Sequence, residues 1–170
     1  MESITLMSWL FRFFLLLISF NLLLTACKAP PPASDMPELG IPVEEINTKV
    51  CISAPAGWNT FKTDDMVVLV VEVISEDPVV FPNDYGAQLF LWNKGQWVEI
   101  DDDVINPEGE IIVSPVNNDP HNLGSAGVGP VLPDPDKPAW VRIILIGNVY
   151  RNNEATNERV AAYIDVHLTP

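Results

Sequence analysis

From residue 46 onward, the chain consists of short apolar or alternating runs that are broken every few residues by Pro, Gly, Asn or Asp. Proline inside a helix removes a hydrogen bond and clashes with the preceding turn, and the chain contains 16 prolines. Short runs between turn-forming residues are typical of strands. Strands are therefore predicted at residues 46–54, 66–75, 87–92, 96–101, 110–115, 139–149 and 159–169. Only residues 153–162 show a weak helical period.

These predicted strands determine the expected fold class. Seven short strands in about 125 residues, without the spacing of strand–helix–strand units, favour an antiparallel sandwich over a parallel sheet. The pattern resembles an immunoglobulin-like or fibronectin-type-III-like β-sandwich, which implies an all-β domain over residues 46–170. With Cys27 assigned to another role below, Cys51 has no partner for the inter-sheet disulfide of antibody domains.

The N-terminal residues have the features of a targeting segment. The apolar run at residues 13–24 follows Arg12 directly and is shorter than the roughly 20 residues that span a bilayer. A signal-peptide core fits this length better. The run closes with Leu24-Thr25-Ala26-Cys27, which resembles the lipobox of bacterial lipoproteins. An uncleaved N-terminal anchor is the alternative.

The lipobox resemblance implies cleavage before Cys27 and a lipid on the Cys27 sulfur. The mature protein would then be bound to a membrane by its lipid anchor, on the extracytoplasmic side of the bacterial cell envelope. Residues 28–45 are rich in proline and lack apolar periodicity, so they are predicted to be an extended tether. The expected organisation is a signal peptide at 1–26, lipidated Cys and tether at 27–45, and the sandwich at 46–170.

Charge and residue counts restrict the function. Nine Lys and Arg against 23 Asp and Glu give a net charge of −14, which disfavours nucleic acid as a partner. The two histidines, His121 and His167, stand in no metal-binding or triad spacing, so neither an enzyme nor a cofactor is expected. The carboxylates of residues 101–103 are predicted to form a solvated turn, with a Ca²⁺ site as the alternative.

Two tryptophans flank the clearest hairpin. If Lys94-Gly95 forms the loop, Trp92 and Trp97 lie opposite each other on one face. A structural clasp is predicted, and a sugar-stacking platform is the alternative. Trp58 and Trp140 are expected to be core or rim residues.

Residues 115–138 carry six prolines and three glycines, so neither a strand nor a helix is predicted there. The segment is expected to cross between the sheets on the surface and to cover the apolar outer side of the strand that bears Trp140. Its polar residues Asn117, Asn118, Asp119 and His121 form a candidate partner surface. Shortening it from Asn117 to Gly127 is expected to leave the sandwich folded.

Together these features favour a lipid-anchored, non-catalytic binding or interaction module with an unknown protein or glycan partner. The first alternative is a carbohydrate-binding or Ca²⁺-dependent adhesion domain. The second is an accessory or inhibitory subunit of a cell-envelope protein.

Overall fold

The computed structural model describes residues 31, 35–104, 109–117, 119 and 121–170. The signal peptide and Cys27 lie outside this set, as does Asn118. Among the described residues, no helix is long and apolar enough to cross a membrane.

The described part of the chain forms ten strands and three single-turn 3-10 helices. The strands are β1 (Val50–Ser53), β2 (Thr60–Lys62), β3 (Val67–Val73), β4 (Val79–Phe81), β5 (Gln88–Asn93), β6 (Gln96–Ile100), β7 (Ile111–Val113), β8 (Gly124–Val128), β9 (Ala139–Arg151) and β10 (Glu154–Thr169). The 3-10 helices are Val43–Glu45, Pro55–Gly57 and Asn83–Gly86.

The strands form two sheets that pack together as an all-β sandwich, which confirms the predicted fold class. The smaller sheet has the order β1-β3-β8. The larger sheet has the order β2-β10-β9-β4-β7, and β5 pairs with another stretch of β9 and carries β6. Every strand pair is antiparallel except β2 with β10.

The main core lies between the sheets. Alternate residues of β3, namely Val67, Leu69, Val71 and Val73, are fully buried against side chains of β9 such as Ile143. This alternation follows from the two-residue period of a strand. The intervening side chains of β3 are half-buried on the other face.

A second apolar cluster covers the outer face of the larger sheet. Ile144 and Ile146 of β9 pack there with Leu39, Ile41 and Ile46, which come from the segment before β1. Residues 35–46, which we call the strap, therefore belong to the packed structure, so packing begins before residue 46 and within the range expected to be tether. The strap covers the part of this face that bears Ile144 and Ile146, and of the described residues in the segment 115–138 only 132–138 lie beside this face, at Trp140.

The strap is held by polar contacts at several points along its length. The side chain of Arg159 donates from Nη1 to the carbonyl oxygen of Leu39 at 2.9 Å. Just beyond the strap, Asn47 adopts a φ of 63° and bonds β10 twice. Its N–H donates to the Ala161 carbonyl at 3.0 Å, and its Oδ1 accepts the N–H of Tyr163 at 2.9 Å.

The prediction that residues 115–138 contain no strand was wrong. The strand β8 pairs with β3 from Gly124 to Val128, and its Ala126 and Val128 are buried. Its sequence Gly-Ser-Ala-Gly-Val has little strand propensity, but small residues suit close packing: a Cβ on Gly124 would lie 2.9 Å from Tyr85 Oη. Because β8 contributes to the core, shortening the chain from Asn117 to Gly127 would remove most of a core strand.

Three strands were not predicted, β2, β4 and β8, and the segment with the weak helical period at 153–162 instead forms the end of a turn and the first part of β10. Asn152 and Asn153 form the β9–β10 turn with φ angles of 56° and 64°. A register shift between Ala155 and Arg159 follows the turn. Such an irregularity interrupts the alternation from which a strand is recognised in sequence.

Candidate functional site

The β5–β6 hairpin has the predicted geometry. Lys94 and Gly95 form its turn with φ angles of 50° and 86°, in the left-handed region that such turns require. Trp92 and Trp97 are direct cross-strand partners, and their ring centroids are 5.0 Å apart at an interplanar angle of 59°. The predicted pairing of the two indoles is thereby confirmed.

Trp97 also covers a buried guanidinium group. The Cζ atom of Arg142 lies 4.3 Å from the centroid of Trp97 and 4.5 Å from that of Tyr163. Arg142 is 0% exposed and bonds Asp165 through two contacts, Nε to Oδ1 at 2.7 Å and Nη2 to Oδ2 at 2.8 Å. Its third nitrogen, Nη1, donates to the strap at the carbonyl of Asp35. Trp97 therefore belongs to a structural cluster that we call the Arg142 cage.

Trp92 has a different environment, because it lines an open cleft with Trp140. Leu91 of β5 pairs with Val141 of β9, so Trp92 and Trp140 fall side by side on the same face of the larger sheet. The opposite wall is the loop before β9, which contributes Pro133 and Pro138. The cleft has a volume of about 400 Å³, and we call it the Trp cleft.

The polar groups at the rim of the Trp cleft are Asn93, Asp134 and Lys137. Lys137 Nζ donates to Asp134 Oδ2 at 2.5 Å. This hydrogen bond and the charge of Asp134 raise the pKa of the exposed Lys137 ammonium group. The two charges compensate each other, so the rim has no net charge.

A residue of the neighbouring strand β10 holds the Trp140 side chain in place. Its ring packs against His167, the cross-strand partner, with centroids 4.9 Å apart. Its Nε1–H is buried and finds no acceptor among the described residues, as is also true of Trp97. An unpaired buried donor costs about 1–3 kcal/mol unless a water or a ligand supplies the acceptor.

The polar candidates from residues 115–138 lie at a separate place. Asp119 Oδ1 accepts the N–H of His121 at 2.9 Å, so the aspartate caps its own turn. His121 lines a groove of about 330 Å³ beside Tyr85 and Leu123, between β7 and β8. Asn117 is exposed and lines neither this groove nor the Trp cleft. The structure therefore brings Trp92 and Trp97 together but does not join them to His121 in one pocket.

The acidic turn at residues 101–103 has a structural role. Asp102 Oδ1 accepts the N–H groups of Val104 at 3.0 Å and Gly129 at 2.8 Å, so it links two segments of the chain. Within the described ranges, no group of three His, Cys, Asp or Glu side chains is arranged to hold a metal ion. Cys51 is half-buried and lies 3.9 Å from the carbonyl of Asn47.

Sequence reasoning missed two parts of the Trp cleft, Trp140 as a wall and the loop 132–138 as its opposite side. Trp92 and Trp140 are 48 positions apart, and only the pairing of β5 with β9 makes them neighbours. A tryptophan at the start of a predicted strand, directly after a proline-rich segment, was the one available signal. Neither a protein-family model nor a curated protein matches the chain.

Proposed function

We propose that the protein is a lipid-anchored binding module of the bacterial cell envelope whose ligand site is the Trp cleft. The observation that carries this proposal is the pair of half-buried indoles, Trp92 and Trp140, that line one cleft of about 400 Å³. Ligand sites are concave, largely apolar and provided with a few polar groups. The Trp cleft has each of these features.

Rigidity of the walls supports a binding role. Trp92 is held by its contact with Trp97, and Trp140 by its contact with His167. Proline restricts the backbone of the opposite loop at Pro133 and Pro138. A site with fixed walls loses little conformational entropy when a ligand enters, which favours affinity.

The chemistry of the lining favours binding over catalysis. The described residues that line the Trp cleft include no serine, cysteine or histidine. Its one carboxylate, on Asp134, is paired with Lys137 instead of being positioned beside a second acidic group. A nucleophile with an adjacent base, or two opposed carboxylates, would be expected of a hydrolase.

Support for the anchor comes from the sequence Leu24-Thr25-Ala26-Cys27. Metabolic labelling with palmitate in a bacterial host tests it: the parent chain and Cys51→Ala should carry the label, and Cys27→Ala should not. An unlabelled parent, or a labelled Cys27→Ala, would overturn the lipid assignment.

Occupation of the Trp cleft can be tested without knowing the ligand. Hydroxyl-radical footprinting should label Trp92 less in isolated native envelopes than in the purified full-length protein. Trp58, which is 68% exposed and outside the cleft, serves as the matched control and should be labelled equally in both samples. Equal labelling of Trp92 in both samples would contradict a binding role for the cleft.

A further inference from the structure

The class of ligand follows from the surface of the Trp cleft, and this step rests on the function proposed above. Trp92 and Trp140 stand side by side on neighbouring strands, so the cleft presents two indoles along one wall. Large flat apolar surfaces select a ligand with a matching flat apolar face. The ligand must also be compact enough to enter a cleft of about 400 Å³.

The charges of the rim and of the whole chain restrict the class of ligand further. Asp134 and Lys137 neutralise each other across a 2.5 Å hydrogen bond, so the rim offers no unpaired charge to an ionic ligand. The whole chain carries a net charge of −14, which repels anions. These two observations favour a neutral ligand over an acidic or phosphorylated one.

The rim nonetheless requires hydrogen-bonding groups from the ligand. The amide of Asn93 supplies two donors and an acceptor, and the carboxylate and ammonium of Asp134 and Lys137 retain further capacity. These groups are exposed and hydrated, so a ligand that covered them with hydrocarbon would displace their water without replacing its hydrogen bonds, at a cost in affinity. The ligand therefore has hydroxyl or amide groups around an apolar face.

We infer that the Trp cleft binds a neutral saccharide. A pyranose ring combines a face of C–H groups, which packs on an indole, with an equatorial rim of hydroxyls that bond amides and carboxylates. Because the cleft is open to solvent, a sugar ring that belongs to a longer chain can also enter it. The expected ligand is therefore a segment of a neutral polysaccharide or glycan.

Isothermal titration calorimetry on the purified full-length protein in detergent tests this inference. The probes are neutral cello-, xylo-, manno- and chito-oligosaccharides, with polygalacturonate as an anionic probe and a chitosan oligomer as a cationic one. At least one neutral probe should bind, and the anionic probe should bind more weakly. Binding of no neutral probe, or of a charged probe alone, would overturn the inference.

Variants locate the binding. Trp92→Ala should weaken binding of the neutral probe by about tenfold or more, since the indole wall is lost. Asn93→Ala, at an exposed hairpin position, removes a rim group without touching the core and should also weaken binding. Trp58→Ala is the matched tryptophan control and should bind as the parent does.

If binding survives both Trp92→Ala and Asn93→Ala, the saccharide site is elsewhere and the inference fails. If Trp92 is protected in native envelopes while every neutral saccharide fails to bind, the binding function stands and the ligand class is wrong. Failure of palmitate labelling affects the anchor alone and leaves this measurement unchanged.

Discussion

At the scale of single residues, the most consequential side chain is Arg142. It is completely buried, and every one of its guanidinium nitrogens has a partner: two bond Asp165 and the third bonds the strap. The planes of Trp97 and Tyr163 lie within 4.5 Å of its Cζ atom. A buried charge is tolerated only when its hydrogen bonds are complete, so this cluster fixes several elements at once.

Arg142→Met should lower the free energy of unfolding by about 3–5 kcal/mol, because Asp165 would keep a largely buried and unpaired carboxylate. The double variant Arg142→Met/Asp165→Leu should recover much of this loss, since both charges are removed. Urea denaturation of the parent and the variants measures the coupling. Equal losses in the single and double variants would show that the ion pair is not the cause.

The ionisation of Asp84 is expected to make the stability of the protein depend on pH. Its pKa is raised, mainly because burial disfavours the charged form and further because Asp102 is nearby; a backbone hydrogen bond from Gly86 opposes the shift. A carboxyl whose pKa is higher in the folded state than in the unfolded state binds its proton more tightly when folded. Its ionisation therefore lowers stability as pH rises through the raised value, and no such loss exists below the unfolded pKa.

Asp84→Asn should accordingly raise the melting temperature at pH 7 and should lose this advantage in acid, below the ordinary value of 3.8. Asparagine also tolerates the φ of 55° at this position. Thermal melts across pH measure the difference, and Asp136→Asn at an exposed site is the control. A gain that persisted unchanged at low pH would point to backbone preference instead of charge.

At the scale of elements, the strap converts the outer face of the larger sheet into a second small core. Leu39 and Ile41 are less than 10% exposed, and they cover Ile144 and Ile146 of β9. Without the strap, these two side chains of β9 would form an exposed apolar patch; the strap removes them from water. This arrangement accounts for the apolar residues on both faces of β9.

Ile41→Ala should reduce the free energy of unfolding by about 2 kcal/mol, the lower end of the range for a buried Ile, because the strap lies at the edge of the structure. Val43→Ala lies on the same strap at 55% exposure and should change stability by less than about 0.5 kcal/mol. Urea melts of the full-length variants compare the two. Identical stabilities would mean that the strap does not pack in solution and that residues 35–45 behave as a tether.

At the scale of the whole molecule, a net charge of −14 on 170 residues opposes the compact state. The ion pairs that involve Arg151, with Asp77 and Glu158, are partly exposed and contribute little against this repulsion. Residues 28–34 separate Cys27 from the strap, and seven residues span at most about 25 Å when fully extended. If Cys27 carries the lipid, this length limits how far the strap can lie from the lipid.

The melting temperature should therefore rise when NaCl increases from about 0.01 M to 0.15 M, as the screening length falls from about 30 Å to 8 Å. Salt should weaken the repulsion among the excess carboxylates by a larger amount of energy than it weakens the few exposed ion pairs. The effect should be smaller in Glu44→Gln/Glu45→Gln, which removes two exposed charges. A melting temperature that falls with salt would show that attractive pairs dominate.

The fold class and the β5–β6 hairpin could be predicted from the sequence alone. Each of the seven predicted ranges overlaps a strand, and Trp92 and Trp97 pair as expected, because alternation and turn chemistry act between residues close in the chain. These are local physical preferences, and no knowledge of distant contacts is needed to recognise them.

Contacts between segments that are far apart in the chain became visible only in the folded structure. Gly124–Val128 becomes a strand because small residues fit beside β3, against the local preference of that sequence. The strap packs because a complementary apolar face exists on β9, and Trp140 joins Trp92 because β5 pairs with β9. Each of these contacts is stabilised by two surfaces that are far apart in the chain, so a pattern within one short segment cannot predict it.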